Sequence, residues 1–200
     1  MKIYLASKSP RRRALLQQMG VAFEPLLLDV VEEIAPNETV EQYSKRVTKE
    51  KLNAAWDKII KEKRPVMPVL CADTEVVFDQ HILGKPRDYQ DAFAMLKSYS
   101  GRSHSVITSV GINYFSYQKI TSNITMVHFA TMPDEEIHKY LATGDYEDKA
   151  GGYGIQSYIG QFICKIEGCF YSVMGLPLNA VRELLVEVRE GFDSCENSGS

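Results

Sequence analysis

Between Val66 and Val77 the chain carries its strongest buried-strand signal, and a polar triplet, Ala72-Asp73-Thr74, interrupts it. A strand this apolar must be covered on both faces, so other elements have to pack around it. The triplet sets a second condition. A carboxylate in such surroundings is costly unless it is paired, hydrogen-bonded or bound to a cation, so Asp73 needs a partner.

Alternating strand and helix signals supply the cover. Lys2 to Ala6 reads as a short buried strand. Ser9 stands at an N-cap, Pro10 at the first helical position and Gly20 just past the helix end, with Ala14, Leu15, Leu16 and Met19 as the apolar face. A second strand is expected near Phe23 to Leu28. Thr39, with Gln42 as its capping-box partner, starts a helix running to about Lys61, with Val40, Tyr43, Val47, Ala54 and Ile59 facing inward. Asp79-Gln80 makes a turn, and Asp88 caps a helix to about Tyr99. His104 to Phe115 and Ile120 to Ala130 read as paired strands. Pro133 opens a helix to Thr143, Phe162 to Ile166 and Phe170 to Met174 read as a hairpin, and Leu178 to Arg189 forms the last helix. Hairpins beside strand–helix units argue for a mixed sheet rather than a purely parallel one. Residues 1–190 suit one globular domain, or two small lobes sharing a core, and 191–200 read as a disordered tail.

A formal net charge of −3 disfavours general binding to nucleic acid or to an anionic membrane, so a local cluster of Lys and Arg means more here. The apolar part of MKIYLASKSPRRR is too short for a signal peptide, and no later run could span a bilayer. A cytoplasmic location is therefore expected. Cys71, Cys164, Cys169 and Cys195 form no C-x-x-C pair, and the histidines show no metal-ligand spacing. Free thiols and no zinc centre are expected.

Several segments bear chemistry. Ser7-Lys8-Ser9-Pro10-Arg11-Arg12-Arg13 joins the first strand to the first helix, where backbone N–H groups and the helix dipole favour an anion. The segment reads as a phosphate site or as a capped helix with solvated arginines, and it is not a Walker loop, since it lacks the glycines and the G-K-[ST] ending. Asp73 is either a structural carboxylate held by backbone donors or a metal ligand or general base. Glu32-Glu33 offers a second carboxylate to a hard cation. Lys85 sits in a turn between Gly84 and Pro86, while Lys51, by its own context, belongs to a solvated helix face. Asp148 to Gln156 is a glycine-rich loop, built for close backbone approach to a ligand or simply mobile.

The motifs L-A-S-K-S-P-R-R (5–12), A-D-T (72–74), L-G-K-P (83–86), S-G-R-S-H-S-V (100–106), D-K-A-G-G-Y-G-I-Q (148–156) and V-M-G-L-P (173–177) occur in this order. Together, over roughly residues 3 to 188, they make the chain similar to the Maf family of nucleoside triphosphate pyrophosphatases. The resemblance implies an α/β protein with an elongated, curved mixed sheet flanked by helices, two lobes with a central cleft like that of inosine triphosphate pyrophosphatase, and a homodimer. It implies hydrolysis of a nucleoside triphosphate to the monophosphate and pyrophosphate, with a divalent cation (Mg, Mn or Co) as cofactor. The Arg11-Arg12 pair and the ending at Gln156 resemble the branch acting on dTTP and UTP rather than the one acting on 7-methyl-GTP. The family's base-catalyst position falls on Asp73, its specificity positions on Arg11, Thr74 and Gln156. Further site positions fall on Ser9, Arg12, Lys51, Lys85 and Glu32, the last as metal partner. For Lys51 this replaces the solvated-face reading. Gly152, Ser157, Cys169 and Glu75 depart from the family pattern without removing a catalytic group. Two other expectations remain, a nucleotide-binding regulator of cell division and a monophosphatase releasing orthophosphate.

Overall fold

A computed structural model describes residues 1–30 and 32–196, and the side chains of these as far as Gly191. Seven strands form one mixed sheet: β1 (Lys2–Leu5), β2 (Ala22–Pro25), β3 (Val69–Phe78), β4 (His81–Leu83), β5 (Ser103–Tyr114), β6 (Tyr117–Phe129) and β7 (Ile163–Glu167). Their order is β2-β1-β3-β5-β6-β7, with β4 paired on β3. β1 runs parallel to β2 and β3, while β4 on β3 and β7 on β6 are antiparallel. The helices are α1 (Pro10–Gln18), α2 (Val40–Lys61), α3 (Tyr89–Tyr99), α4 (Asp134–Leu141), α5 (Phe170–Val173) and α6 (Leu178–Glu196).

The helix starts follow from local chemistry. Ser9 accepts from Arg12 N, Thr39 and Gln42 close a reciprocal capping box, and Asp88 accepts from Asp91 N. Gly20 leaves α1 at φ 69°, as a helix C′ residue often must.

The chain divides into two compact units. The first comprises Met1–Asp73, Ser109–Ser122 and the chain from Gly175 onward; the second comprises Thr74–Thr108 and Asn123–Met174. In the first, Tyr4, Leu26, Leu52, Ile59, Val69 and Cys71 form a buried cluster. In the second, Val76, Leu96, Tyr99, Phe129, Tyr140 and Tyr153 belong to a larger, aromatic one.

Several sequence expectations need correction. Ala14 is exposed on α1, whose buried residues are Leu15 and Leu16, and the buried strand begins at Val69, leaving Val66 exposed. The buried face of α2 is Tyr43, Ser44, Val47, Thr48, Leu52, Ala55 and Ile59; Val40 and Ala54 lie beside that stripe, half-buried. β2 ends at Pro25, short of Leu28. Phe170 to Met174 is not the second arm of a hairpin: β7 pairs with β6, Gly168 turns the chain at φ 129°, and α5 follows. A short aromatic run fits strand or helix, and periodicity alone does not separate the two. The segment read as a tail begins inside α6, which continues to Glu196; residues 197–200 and the side chain of Cys195 lie outside the described part. Cys71, Cys164 and Cys169 are free thiols.

Candidate active site

The first unit gathers most of the charged candidates. β3 pairs in parallel with β1, Leu70 opposite Leu5, and runs on past the end of β1. Asp73, in the middle of β3, therefore stands next to the loop that leaves the carboxyl end of β1 for α1, the kind of place where α/β sheets hold ligands. In that loop Ser7 Oγ accepts from Ser9 N and from Arg12 Nη1, both at 3.2 Å. Arg12 Nε donates to the Gly175 carbonyl at 2.8 Å, which fixes the guanidinium. The first turn of α1 holds no acidic residue but three arginines, all half-buried. Cations there oppose the helix dipole, and an arriving anion would relieve that opposition.

Asp73 is 5% exposed. Its Oδ1 accepts from Lys51 Nζ at 2.7 Å, and its Oδ2 is buried with no hydrogen-bond partner among the described residues. The carboxylate is thus held by an ammonium rather than by a set of backbone donors. The same Lys51 Nζ lies 2.5 Å from Glu32 Oε1, so one ammonium bridges two carboxylates. The Lys51 side chain is only 14% exposed, which rules out a solvated helix face. Burial works against its charge, but the Asp73 and Glu32 carboxylates outweigh that and hold its pKa above the ordinary lysine value. Cys71 lies in the field of Lys51, Arg12 and Asp73, and burial pushes its thiol up to about 11.

Arg46, which the sequence analysis passed over, supports this cluster. It donates to the Glu33 carbonyl at 2.7 Å, pairs with Glu38 at 2.7 Å and reaches Glu50 at 3.0 Å. Because α2 carries both Arg46 and Lys51, it positions the ammonium and the segment bearing Glu32 together. Only the Arg46–Glu50 pair, at i,i+4, was visible as a pattern.

The second unit holds the other candidates. Thr74 Oγ1 lies 3.0 Å from the Thr108 hydroxyl, which donates to the Ser172 carbonyl at 2.8 Å. Lys85 is exposed, with Nζ 3.6 Å from Asp148. Its loop is tied to the glycine-rich loop, since Gly151 N donates to the Gly84 carbonyl at 2.9 Å. That glycine-rich loop is seated rather than loose: Gly151 through Ile155 are buried, and Gln156 beside them is exposed. The structure thus joins Glu32, Lys51 and Asp73, joins Ser9 to Arg12, and joins the Lys85 loop to the loop of Gln156.

The first cluster suits a hard divalent cation. It offers carboxylate oxygens, one of them a buried atom without a partner among the described residues. Among the described residues no group of three or more His, Cys, Asp or Glu gathers to hold a metal alone. Mg²⁺ is commonly held by one or two carboxylates, with substrate phosphates and water completing its shell.

An anion-ready helix start beside a lysine-bridged carboxylate pair is the equipment of a phosphate-handling α/β protein. Residues 2–188 match the family described as Maf-like protein, and the chain belongs to that family. It is 49% identical over 179 residues to the dTTP/UTP pyrophosphatase of Photobacterium profundum, covering 88% of this chain and 91% of that one. The dTTP/UTP pyrophosphatase of Chromobacterium violaceum is 44% identical over 192 residues, 96% of each chain. That of Escherichia coli (strain UTI89 / UPEC) is 42% identical, covering 92% of this chain and 91% of its own. Among solved structures, the Staphylococcus aureus Ham1 protein is similar over 65% of this chain and 72% of its own, at 13% identity and a TM-score of 0.45. No described helix is long and apolar enough to cross a membrane.

Proposed function

We propose that this protein is a nucleoside triphosphate pyrophosphatase acting on dTTP and UTP. Water attacks the α-phosphorus, the bond from it to the bridging oxygen breaks, and the monophosphate and pyrophosphate leave with one proton released. The observation that carries the reading is the buried Asp73 carboxylate, with Lys51 on one oxygen and the other unpartnered among the described residues. Relatives at 42–49% identity along nearly the whole chain bear that activity as their name.

In this reading Asp73 Oδ2 orients the attacking water and takes its proton, a role that contributes about 10²–10⁴-fold. Lys51 holds the carboxylate in place and, with Ser9, Arg12 and Lys85, places positive charge and donors on the phosphates. Glu32 and Asp73 are the residues that would hold a divalent cation, which supplies positive charge to phosphate oxygens when bound. Arg11, Thr74 and Gln156 meet the base. Gln156 has both an amide donor and a carbonyl acceptor, which match the N3–H and carbonyl edge shared by uracil and thymine. A role in clearing unwanted nucleotides from the cytoplasmic pool fits this chemistry.

Incubation with UTP in ¹⁸O-labelled water tests it. UMP carrying the label, with unlabelled pyrophosphate, is the expected outcome. Labelled pyrophosphate would move the attack to the β-phosphorus, orthophosphate would indicate a monophosphatase, and binding without turnover would indicate a regulator.

A further inference from the structure

The motif Ser100 to Val106 has no part in the chemistry above, yet it delivers a histidine to the middle of the second unit. His104, on β5, is 2% exposed and is enclosed by the rings of Tyr99, Phe129 and Tyr153 at centroid distances of 4.5, 5.7 and 5.4 Å. Its Nε2 is hydrogen-bonded to the Tyr153 hydroxyl at 2.7 Å. Tyr99, stacked on the same imidazole, donates its hydroxyl to the Gly151 carbonyl at 3.1 Å. Both bonds end on the glycine-rich loop, within five residues of Gln156.

The seat is tight. A Cβ at Gly151 would fall 2.8 Å from Tyr99 Oη and 2.9 Å from Val76 Cγ1, at a backbone φ of 70° that L side chains rarely adopt. Lys149, whose ammonium is bound by Asp145, lies along Gly154, where an added Cβ would meet Lys149 Cε at 3.1 Å. The Gly151 N–H in turn holds the Gly84 carbonyl, next to Lys85. The loop backbone is therefore held by polar bonds from the core rather than by strand pairing. A hydrogen bond of His104 within an aromatic cage is a costly arrangement unless the geometry it sets is used.

We propose that His104 is a positioning residue for base recognition: acting through Tyr153, and with Tyr99 on Gly151, it sets the backbone that presents Gln156. The inference rests on the reading that Gln156 meets the base. His104 touches no substrate atom; it narrows the range of loop positions so that the Gln156 amide meets one base edge in one register, the preorganisation that makes hydrogen-bond discrimination strong.

The test compares wild type, His104→Phe, Tyr153→Phe, the double variant, His104→Gln and Gln156→Ala. Amide exchange across 148–156, read by mass spectrometry, is measured beside kcat and KM for UTP and CTP. His104→Phe keeps an apolar ring but loses the bond; His104→Gln places a side-chain nitrogen near the position of Nε2. The expected result is faster exchange confined to 148–156 and a fall of about tenfold in UTP-over-CTP discrimination, the scale of one hydrogen bond. The fall should be carried mainly by KM, be no larger in the double variant, and be largely restored by His104→Gln. Unchanged loop exchange in His104→Phe, or a rise spread evenly over the second unit, overturns the inference. Discrimination that survives His104→Phe but falls in Gln156→Ala overturns it and leaves the reading of Gln156 standing. Discrimination that survives both overturns both.

Discussion

Lys51 Nζ donates to Asp73 Oδ1 at 2.7 Å, while Oδ2 of the same carboxylate is buried without a partner among the described residues. Such a half-satisfied carboxylate is destabilising in isolation. It is instead what a site needs if water or a cation is to complete it, and the pair gives the first prediction. Asp73→Asn, nearly isosteric, retains a carbonyl for Lys51 but has neither the charge nor the basicity of the carboxylate. Pyrophosphate release from UTP should fall by about 10²-fold or more, with an unchanged circular dichroism spectrum. Wild-type turnover in this variant would remove Asp73 from the mechanism.

The stability effect of the pair is separable from its chemistry. Lys51→Met removes the ammonium and leaves Asp73 as a buried charge without its partner. Breaking one side of a buried pair costs about 3 kcal/mol or more, so urea denaturation should show a lowered midpoint. The double variant Lys51→Met with Asp73→Asn should recover much of that loss without recovering activity. A double variant no more stable than Lys51→Met would show that the ammonium and carboxylate do not couple.

How much of this was legible in the sequence depended on the range of the interaction. Caps at Ser9, Thr39 and Asp88 are settled within a few residues, so composition alone located the helix starts. Asp73 was conspicuous because a charge in an apolar run contradicts its neighbours. Lys51 was not, because its burial depends on carboxylates from two other segments, one of them 22 residues away in sequence. The His104–Tyr153 bond spans 49 residues, and the aromatic cage exists only once β5, β6 and α3 are assembled. The run Phe170 to Met174 was misread because a run this short, rich in aromatic residues, fits strand and helix equally well, and it forms α5.

Divalent cation should be required. A nucleoside triphosphate carries more negative charge than Lys51 and Arg12 can offset while the Glu32 and Asp73 carboxylates remain beside Lys51. EDTA should abolish turnover, and excess Mg²⁺ or Mn²⁺ should restore it. Because Glu32 is exposed and held by the Lys51 ammonium, Glu32→Gln should raise the Mg²⁺ concentration for half-maximal activity more than it lowers the rate at saturating metal. Full activity in chelated buffer would eliminate the metal-assisted scheme.

His104 also makes stability depend on pH. Burial among aromatic rings lowers its pKa from 6.5 to about 4, with nearby His128 adding a push in the same direction. Tyr99 and Tyr153, the other titratable groups against it, have pKa values raised by burial and stay neutral in this range. Between pH 4 and 6.5 the unfolded chain binds a proton at His104 that the folded protein refuses. Stability therefore rises with pH across that window. Acidification from pH 7 should remove it progressively, up to about 3 kcal/mol from this residue by about pH 4. Carboxylates titrate in the lower part of the same window, so the diagnostic quantity is a difference. Urea midpoints of wild type and His104→Phe, measured from about pH 7 to about pH 4.5, should converge as the pH falls, because the phenyl ring of the variant has no proton to take up. Parallel curves would mean that the imidazole is protonated within the fold, and that its Tyr153 bond persists in the charged form.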